Sequence, residues 1–228
     1  RNILEEIEAG DSVNTIPSKA TIKIKNKEKM IFHGISCHSS MPGLGVNAIS
    51  KMAIDLSYRT EFNFLRFLND FLAKDYNGIK LNIDQENLKN SLPMESTIAV
   101  PTTISITENG VKLNINLRLW FGVTKKKIEE VFTKFAKDYG YSFKLLDFIE
   151  PLEVDENEEF LVQMNDVYEE YGLAGGFQTS VGTSYAKSME HIVNWGPVFD
   201  TEPSCAHMED ERLSIEAMVT ATQMYTTY

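Results

Sequence analysis

A chain of 228 residues can form one large domain or two small ones, and its 43% of hydrophobic residues supply a sizeable core. The 22 Lys and Arg stand against 33 Asp and Glu, a formal net charge of -11, so the summed field repels nucleic acid and anionic membrane surfaces. Two cysteines, Cys37 and Cys205, make no disulfide framework, and no apolar run approaches the length of a bilayer span.

The charged opening, 1–10, lacks the apolar centre of a signal peptide, so a cytoplasmic protein is expected. The first residue is Arg rather than Met, so position 1 is not expected to be the native start, although processing or trimming accounts for it equally well. Ala20, Ile22 and Ile24 alternate with polar residues and predict a half-buried strand. A polar turn at 26–29 and a strand over 30–35 complete a hairpin. Beyond the loop 39–46, Asn47 stands where an N-cap belongs, and Ile49, Met52, Ala53 and Leu56 recur at helical spacing. A further helix is expected over 61–72.

Segments 102–107 and 112–120 predict a second hairpin, turning at Glu108-Asn109-Gly110, where Asn-Gly favours a tight turn. Along its second strand Leu113, Ile115, Leu117 and Leu119 share one face, while Asn114, Asn116, Arg118 and Trp120 share the other. Thr124 then caps a helix whose Ile128, Val131, Phe132, Phe135 and Ala136 form an apolar stripe. A strand over 141–148 leads to Pro151. Hairpins alternating with helices predict an α+β module, an antiparallel sheet with helices on one face. From 150 the order becomes helix (158–171), glycine-containing loop, strand (191–195), loop and terminal helix (214–228), α/β in character. A domain boundary is placed at 148–152.

Several polar residues could carry chemistry. His207 sits in an acidic loop ahead of the final helix, where an imidazole could ligate a metal with carboxylates orienting it, or be an ordinary solvated side chain. His38 lies in a loop between a strand and a helix and could donate to a developing oxyanion; a plain polar loop residue is the competing reading. Arg118 points away from an aliphatic strand face, and its planar fork suits a carboxylate, although an Arg on a solvated sheet face is ordinary. The loop Gly182-Thr183-Ser184-Tyr185 could present backbone N–H groups to an anion, yet matches no phosphate-binding fingerprint. A zinc site from Cys37, His38, Cys205 and His207 fits no known ligand spacing, and nothing in the sequence orients Cys37 and His38 as nucleophile and base.

In order along the chain, these residues resemble the second half of the metallopeptidases of the aminoacylase, carnosinase and dipeptidase V group (the bacterial, Xaa-His dipeptidase type). Val13-Asn14-Thr15-Ile16-Pro17 resembles the entry into that family's lid, and 37–48 its His-x-x-x-Pro…Gly-x-Asn-Ala loop. The strand 113–119 resembles the lid strand bearing Asn-x-Arg, 181–187 the Gly-Gly-Thr-Tyr-Ala-Arg stretch, and 207–211 the His-x-x-Asp-Glu loop. The resemblance implies a shortened antiparallel lid domain with ferredoxin-like elements over 12–148. It also implies, over 149–228, the C-terminal part of an α/β zinc-peptidase catalytic domain.

The resemblance further implies hydrolysis of dipeptides by a water activated between two divalent ions, zinc or alternatively manganese or cobalt. His207 would ligate a metal, while His38, with Asn14 near it, would stabilise the tetrahedral intermediate. Arg118, helped by Gly182, Thr183, Ser184 and Tyr185, would hold the free carboxylate of the dipeptide.

The family's His-x-Asp motif, bridging Asp and Glu-Glu pair have no counterpart in these 228 residues, and Lys187 stands where the family has Arg. The expectation is therefore a portion of a dipeptidase that binds no metal tightly and is inactive alone, and that self-associates through exposed edges. The alternative is a non-catalytic module that binds peptide C-terminal carboxylates or serves in assembly.

Overall fold

A computed structural model describes residues 3–83, 97–177, 184–189, 192–196, 199, 202 and 210–228. The chain divides into two compact units, Arg1–Pro151 and Leu152–Tyr228. In the first, strands β1 (Leu4–Ala9), β2 (Thr15–Ile16), β3 (Lys19–Ile24), β4 (Met30–His33) and β5 (Cys37–His38) precede helices α1 (Ala48–Leu56) and α2 (Asn63–Phe71). Strands β6 (Ile98–Thr107) and β7 (Gly110–Arg118) and helix α3 (Lys125–Tyr139) follow. The second unit holds α4 (Glu159–Glu170) and α5 (Ile215–Thr227). The fold is mixed α+β, built on a five-stranded antiparallel sheet of order β4-β3-β1-β6-β7.

Period-two alternation makes this sheet two-faced. Ile7 and Ala9 of β1, Ala20, Ile22 and Ile24 of β3, and Ile104 of β6 are buried in one cluster with Ile49, Met52 and Leu56 of α1. Leu65 and Leu68 of α2 and Ile128 and Phe132 of α3 belong to the same cluster, and Leu113, Ile115, Leu117 and Leu119 pack against it from β7. Burying each large aliphatic side chain contributes about 1.5–3 kcal/mol, so this face dominates the unit's stability. The opposite face carries Glu6, Glu8, Thr21 and Lys23, with Lys29 Nζ 2.7 Å from Glu6 Oε2.

Local signals terminate the elements as their residue types predict. Asn47 accepts from the N–H groups of Ile49 and Ser50 at 2.9 and 3.3 Å, and Thr124 from that of Lys127 at 3.3 Å. The β6–β7 turn closes Thr107 on Gly110, whose φ of 118° only glycine adopts readily.

Three elements depart from the sequence reading. The sequence predicts no strand over 4–9, yet β1 is the central one, because Ile7 and Ala9 supply its core face while its glutamates face outward. Lys23 and Lys29 lie 3.2 Å from Glu5 and 2.7 Å from Glu6, so the acidic run is matched by basic neighbours. The segment 141–148 alternates in burial, with Tyr141, Phe143 and Leu145 on the core, but is not a strand: the alternation satisfies the side chains without a backbone ladder. The strand expected over 191–195 is irregular at 192–195. There Trp195 packs its ring against Tyr225 and Tyr228 of the C-terminal segment, at centroid distances of 5.2 and 5.3 Å. Among the described residues no helix is long and apolar enough to cross a membrane.

Candidate functional site

Strands β2 and β5 pair antiparallel as a small second sheet, Thr15 opposite His38 and Ile16 opposite Cys37. This small sheet lies against β6. Val100 faces the same side as its cross-strand partner Asn116, away from the main core, yet Val100 and Ile16 are both fully buried. Apolar residues of both strands are thus covered where β2 lies near β6.

The loop carrying His38 is tied at both sides. Gly34 donates its N–H to Ser18 O at 2.7 Å, and a Cβ there would lie 1.9 Å from Val46 O, so the close approach requires glycine. Ile35 and Val46 exchange backbone hydrogen bonds of 2.9 Å. At the far end Asn47, besides capping α1, donates from Nδ2 to Pro101 O at 2.7 Å, where β6 is irregular between Pro101 and Thr103.

Within this frame hydrogen bonds link the segments that carry Asn14, His38 and Arg118. Ser39 is fully buried; its N–H donates to Asn14 O at 2.9 Å and its hydroxyl to Asn116 Oδ1 at 3.0 Å. The same Oδ1 accepts from Arg118 Nε at 3.1 Å. A continuous chain of hydrogen bonds therefore runs from the Asn14 segment through the residue after His38 to Arg118. The exposed Asn14 side chain turns back locally, accepting from Ser12 Oγ and, at 3.4 Å, from Thr15 Oγ1.

The His38 imidazole is held through Nδ1. Ser40 donates its N–H to His38 Nδ1 at 3.3 Å, and Ser40 Oγ lies 2.6 Å from the same nitrogen. An Nδ1 that accepts a backbone N–H leaves the proton on Nε2, which is then a donor. Arg118 is half-buried, and burial pulls its guanidinium below its ordinary pKa, though it stays a cation at neutral pH. The site thus holds a guanidinium cation and an imidazole anchored at Nδ1.

Cys37 is not activated. Its thiol contacts Met41 O at 3.3 Å, and burial pushes its pKa up, which favours the unreactive thiol. His38 Nδ1 is engaged by Ser40 instead, so these contacts do not build a Cys37–His38 nucleophile–base pair. The other half of the four-residue zinc reading, Cys205 and His207, lies outside the described residues.

His207, Gly182 and Thr183 lie outside the described residues as well. Ser184 caps a short 3-10 turn over Tyr185–Ser188, accepting from Ala186 N at 3.2 Å, and Tyr185 is 86% exposed. Both belong to the second unit. Among the described residues no group of three or more His, Cys, Asp or Glu could hold a metal ion, so these residues do not fit the implied metal pair. The sequence reading missed Ser39 and placed Asn116 only on a face. The i, i+2 spacing of Asn116 and Arg118 signalled their contact, but Ser39 lies 77 positions from Asn116 and no local pattern joins them.

No family model matches the chain. It is 27% identical over 224 residues to "Putative dipeptidase YtjP" of Bacillus subtilis (strain 168), covering 94% of this chain and 46% of that protein. "Putative dipeptidase SH1171" of Staphylococcus haemolyticus (strain JCSC1435) is 25% identical over 211 residues, 86% of this chain and 42% of that protein. "Putative dipeptidase SAUSA300_1697" of Staphylococcus aureus (strain USA300) is 25% identical over 204 residues, 84% and 41% respectively. The chain spans about half the length of the curated relatives it matches, and along nearly all of its own length it is similar to proteins named as dipeptidases.

Proposed function

We propose that this chain is the substrate-gripping portion of a metal-dependent dipeptidase. The observation that carries the reading is the hydrogen-bond chain through Ser39 and Asn116, which joins the His38 loop to Arg118. The similarity to proteins named as dipeptidases supports the substrate class.

In this reading the Arg118 guanidinium takes the free carboxylate of a dipeptide. A cation of fixed geometry in a half-buried setting pairs with a carboxylate more strongly than one in bulk water. His38, protonated at Nε2, donates to the peptide carbonyl oxygen as negative charge develops there. Holding the ligand at its carboxylate and at its peptide carbonyl supplies orientation, which converts binding into rate. Asn14 accepts the Ser39 N–H through its backbone carbonyl and so orders the loop that carries His38. The water-activating groups lie beyond the described residues, with His207 contributing a ligand there, and these 228 residues alone release negligible product from a dipeptide.

The test is isothermal calorimetry with L-alanyl-L-alanine on the native chain, Arg118→Ala and Arg118→Lys. Loss of the charge-assisted pair weakens binding by at least about tenfold in Arg118→Ala, with Arg118→Lys between the two. Absence of binding by the native chain, or equal affinity in all three, removes the reading. Hydrolysis assays with added zinc, manganese or cobalt check the second half of the proposal; turnover at ordinary enzyme rates by this chain alone overturns it.

A further inference from the structure

We propose that Ser39, acting through Asn116, is a positioning residue that locks Arg118 to the His38 loop and thereby sets the carbonyl-to-carboxylate length the site accepts in a ligand. The length-setting role rests on the function proposed above; the positioning role stands on the geometry alone.

The hydrogen-bond directions are forced. Arg118 Nε carries a proton and can only donate, so the Asn116 atom 3.1 Å away is the carbonyl oxygen and not the amide nitrogen. Ser39 Oγ meets that same oxygen at 3.0 Å and must donate to it. Asn116 Oδ1 therefore has both lone pairs engaged, one by each side of the site. Holding Nε fixes the plane of the guanidinium, and with it the directions of both Nη groups.

Ser39 is itself immobilised. It is fully buried, and its N–H is held by Asn14 O at 2.9 Å, so its hydroxyl is placed by the backbone. It follows His38 directly, and His38 Nδ1 is in turn tied to Ser40. The imidazole and the guanidinium consequently sit at the two ends of one short, fully bonded path rather than on independently moving loops. A ligand held by both must match the spacing that this path imposes.

The experiment has two readouts on the whole chain. In 15N-edited spectra the Arg118 Nε–H should exchange slowly in the native protein and about tenfold or more faster in Ser39→Ala and Asn116→Ala. Asn116→Asp, which keeps an acceptor oxygen, should stay protected. Calorimetry then compares L-alanyl-L-alanine with L-alanyl-β-alanine, whose peptide carbonyl and carboxylate stand one methylene further apart. The ratio of affinities favouring L-alanyl-L-alanine should fall about tenfold in Ser39→Ala. A purely structural role would weaken both ligands alike and leave that ratio in place. If the native chain binds neither peptide, the function proposed above fails and length selection with it, while the Nε–H exchange still decides positioning. Unchanged Nε–H exchange in Ser39→Ala overturns the positioning role, and an unchanged ratio overturns the selection role.

Discussion

Asn47 holds the loop of the candidate site to the sheet by two separable interactions, and its replacement should be measurable in parts. Its Oδ1 accepts from two N–H groups that open α1, and its Nδ2 donates to Pro101 O at 2.7 Å. The side chain is 2% exposed, so water cannot replace either interaction in place. Loss of a cap costs about 1 kcal/mol. Loss of the Pro101 bond adds about 1 kcal/mol, and the stranded buried carbonyl raises the total for Asn47→Ala to about 2–3 kcal/mol. Asn47→Ser keeps the cap but cannot reach Pro101, so it should cost about 1 kcal/mol less than Asn47→Ala. Urea unfolding followed by circular dichroism measures both, with amide exchange at Ile49 and Ser50 as the local check. The exchange should accelerate in Asn47→Ala and stay near native in Asn47→Ser. Equal costs for the two variants, or an Asn47→Ala cost below about 0.5 kcal/mol, would refute the decomposition into cap and tether.

Two further expectations rest on other parts of the first unit. The Tyr141 hydroxyl is buried and has no hydrogen-bond partner among the described residues, and burial, then the neighbouring Tyr139, raise its pKa. The folded state thus favours the protonated phenol, and stability should fall as pH rises past about 10, where the unfolded chain ionises. Tyr141→Phe should flatten that alkaline decline and gain up to about 1 kcal/mol at neutral pH, read from urea midpoints across pH. An unchanged decline would show that Tyr141 does not cause it. Gly10 has a φ of 76° and an added Cβ would lie 2.0 Å from Thr102 O, whereas Gly110, with a φ of 118°, faces open space. Gly10→Ala should therefore cost on the order of 3 kcal/mol or more, and Gly110→Ala about 1–2 kcal/mol of backbone strain alone. Similar midpoint shifts for the two would show that the Thr102 contact is soft.

Much of the architecture was legible in the sequence because it is set by short-range geometry. Period-two runs with tight turns specified the hairpin of β3 with β4 and that of β6 with β7, and a side-chain oxygen ahead of an apolar stripe marked the starts of α1 and α3. The two faces of β7, and so the sharing of one face by Asn116 and Arg118, followed from alternation alone. Tertiary structure decided what depends on partners distant in sequence. An acidic run became the central strand only because Lys23, Lys29 and the core positions of β3 and β6 were waiting for it. The alternating segment 141–148 packed on the core without becoming a strand, since alternation places side chains but cannot supply a neighbour for the backbone. The link from Ser39 to Asn116 likewise needed the chain to fold back across 77 positions, and only folding brings such groups within the reach of a hydrogen bond.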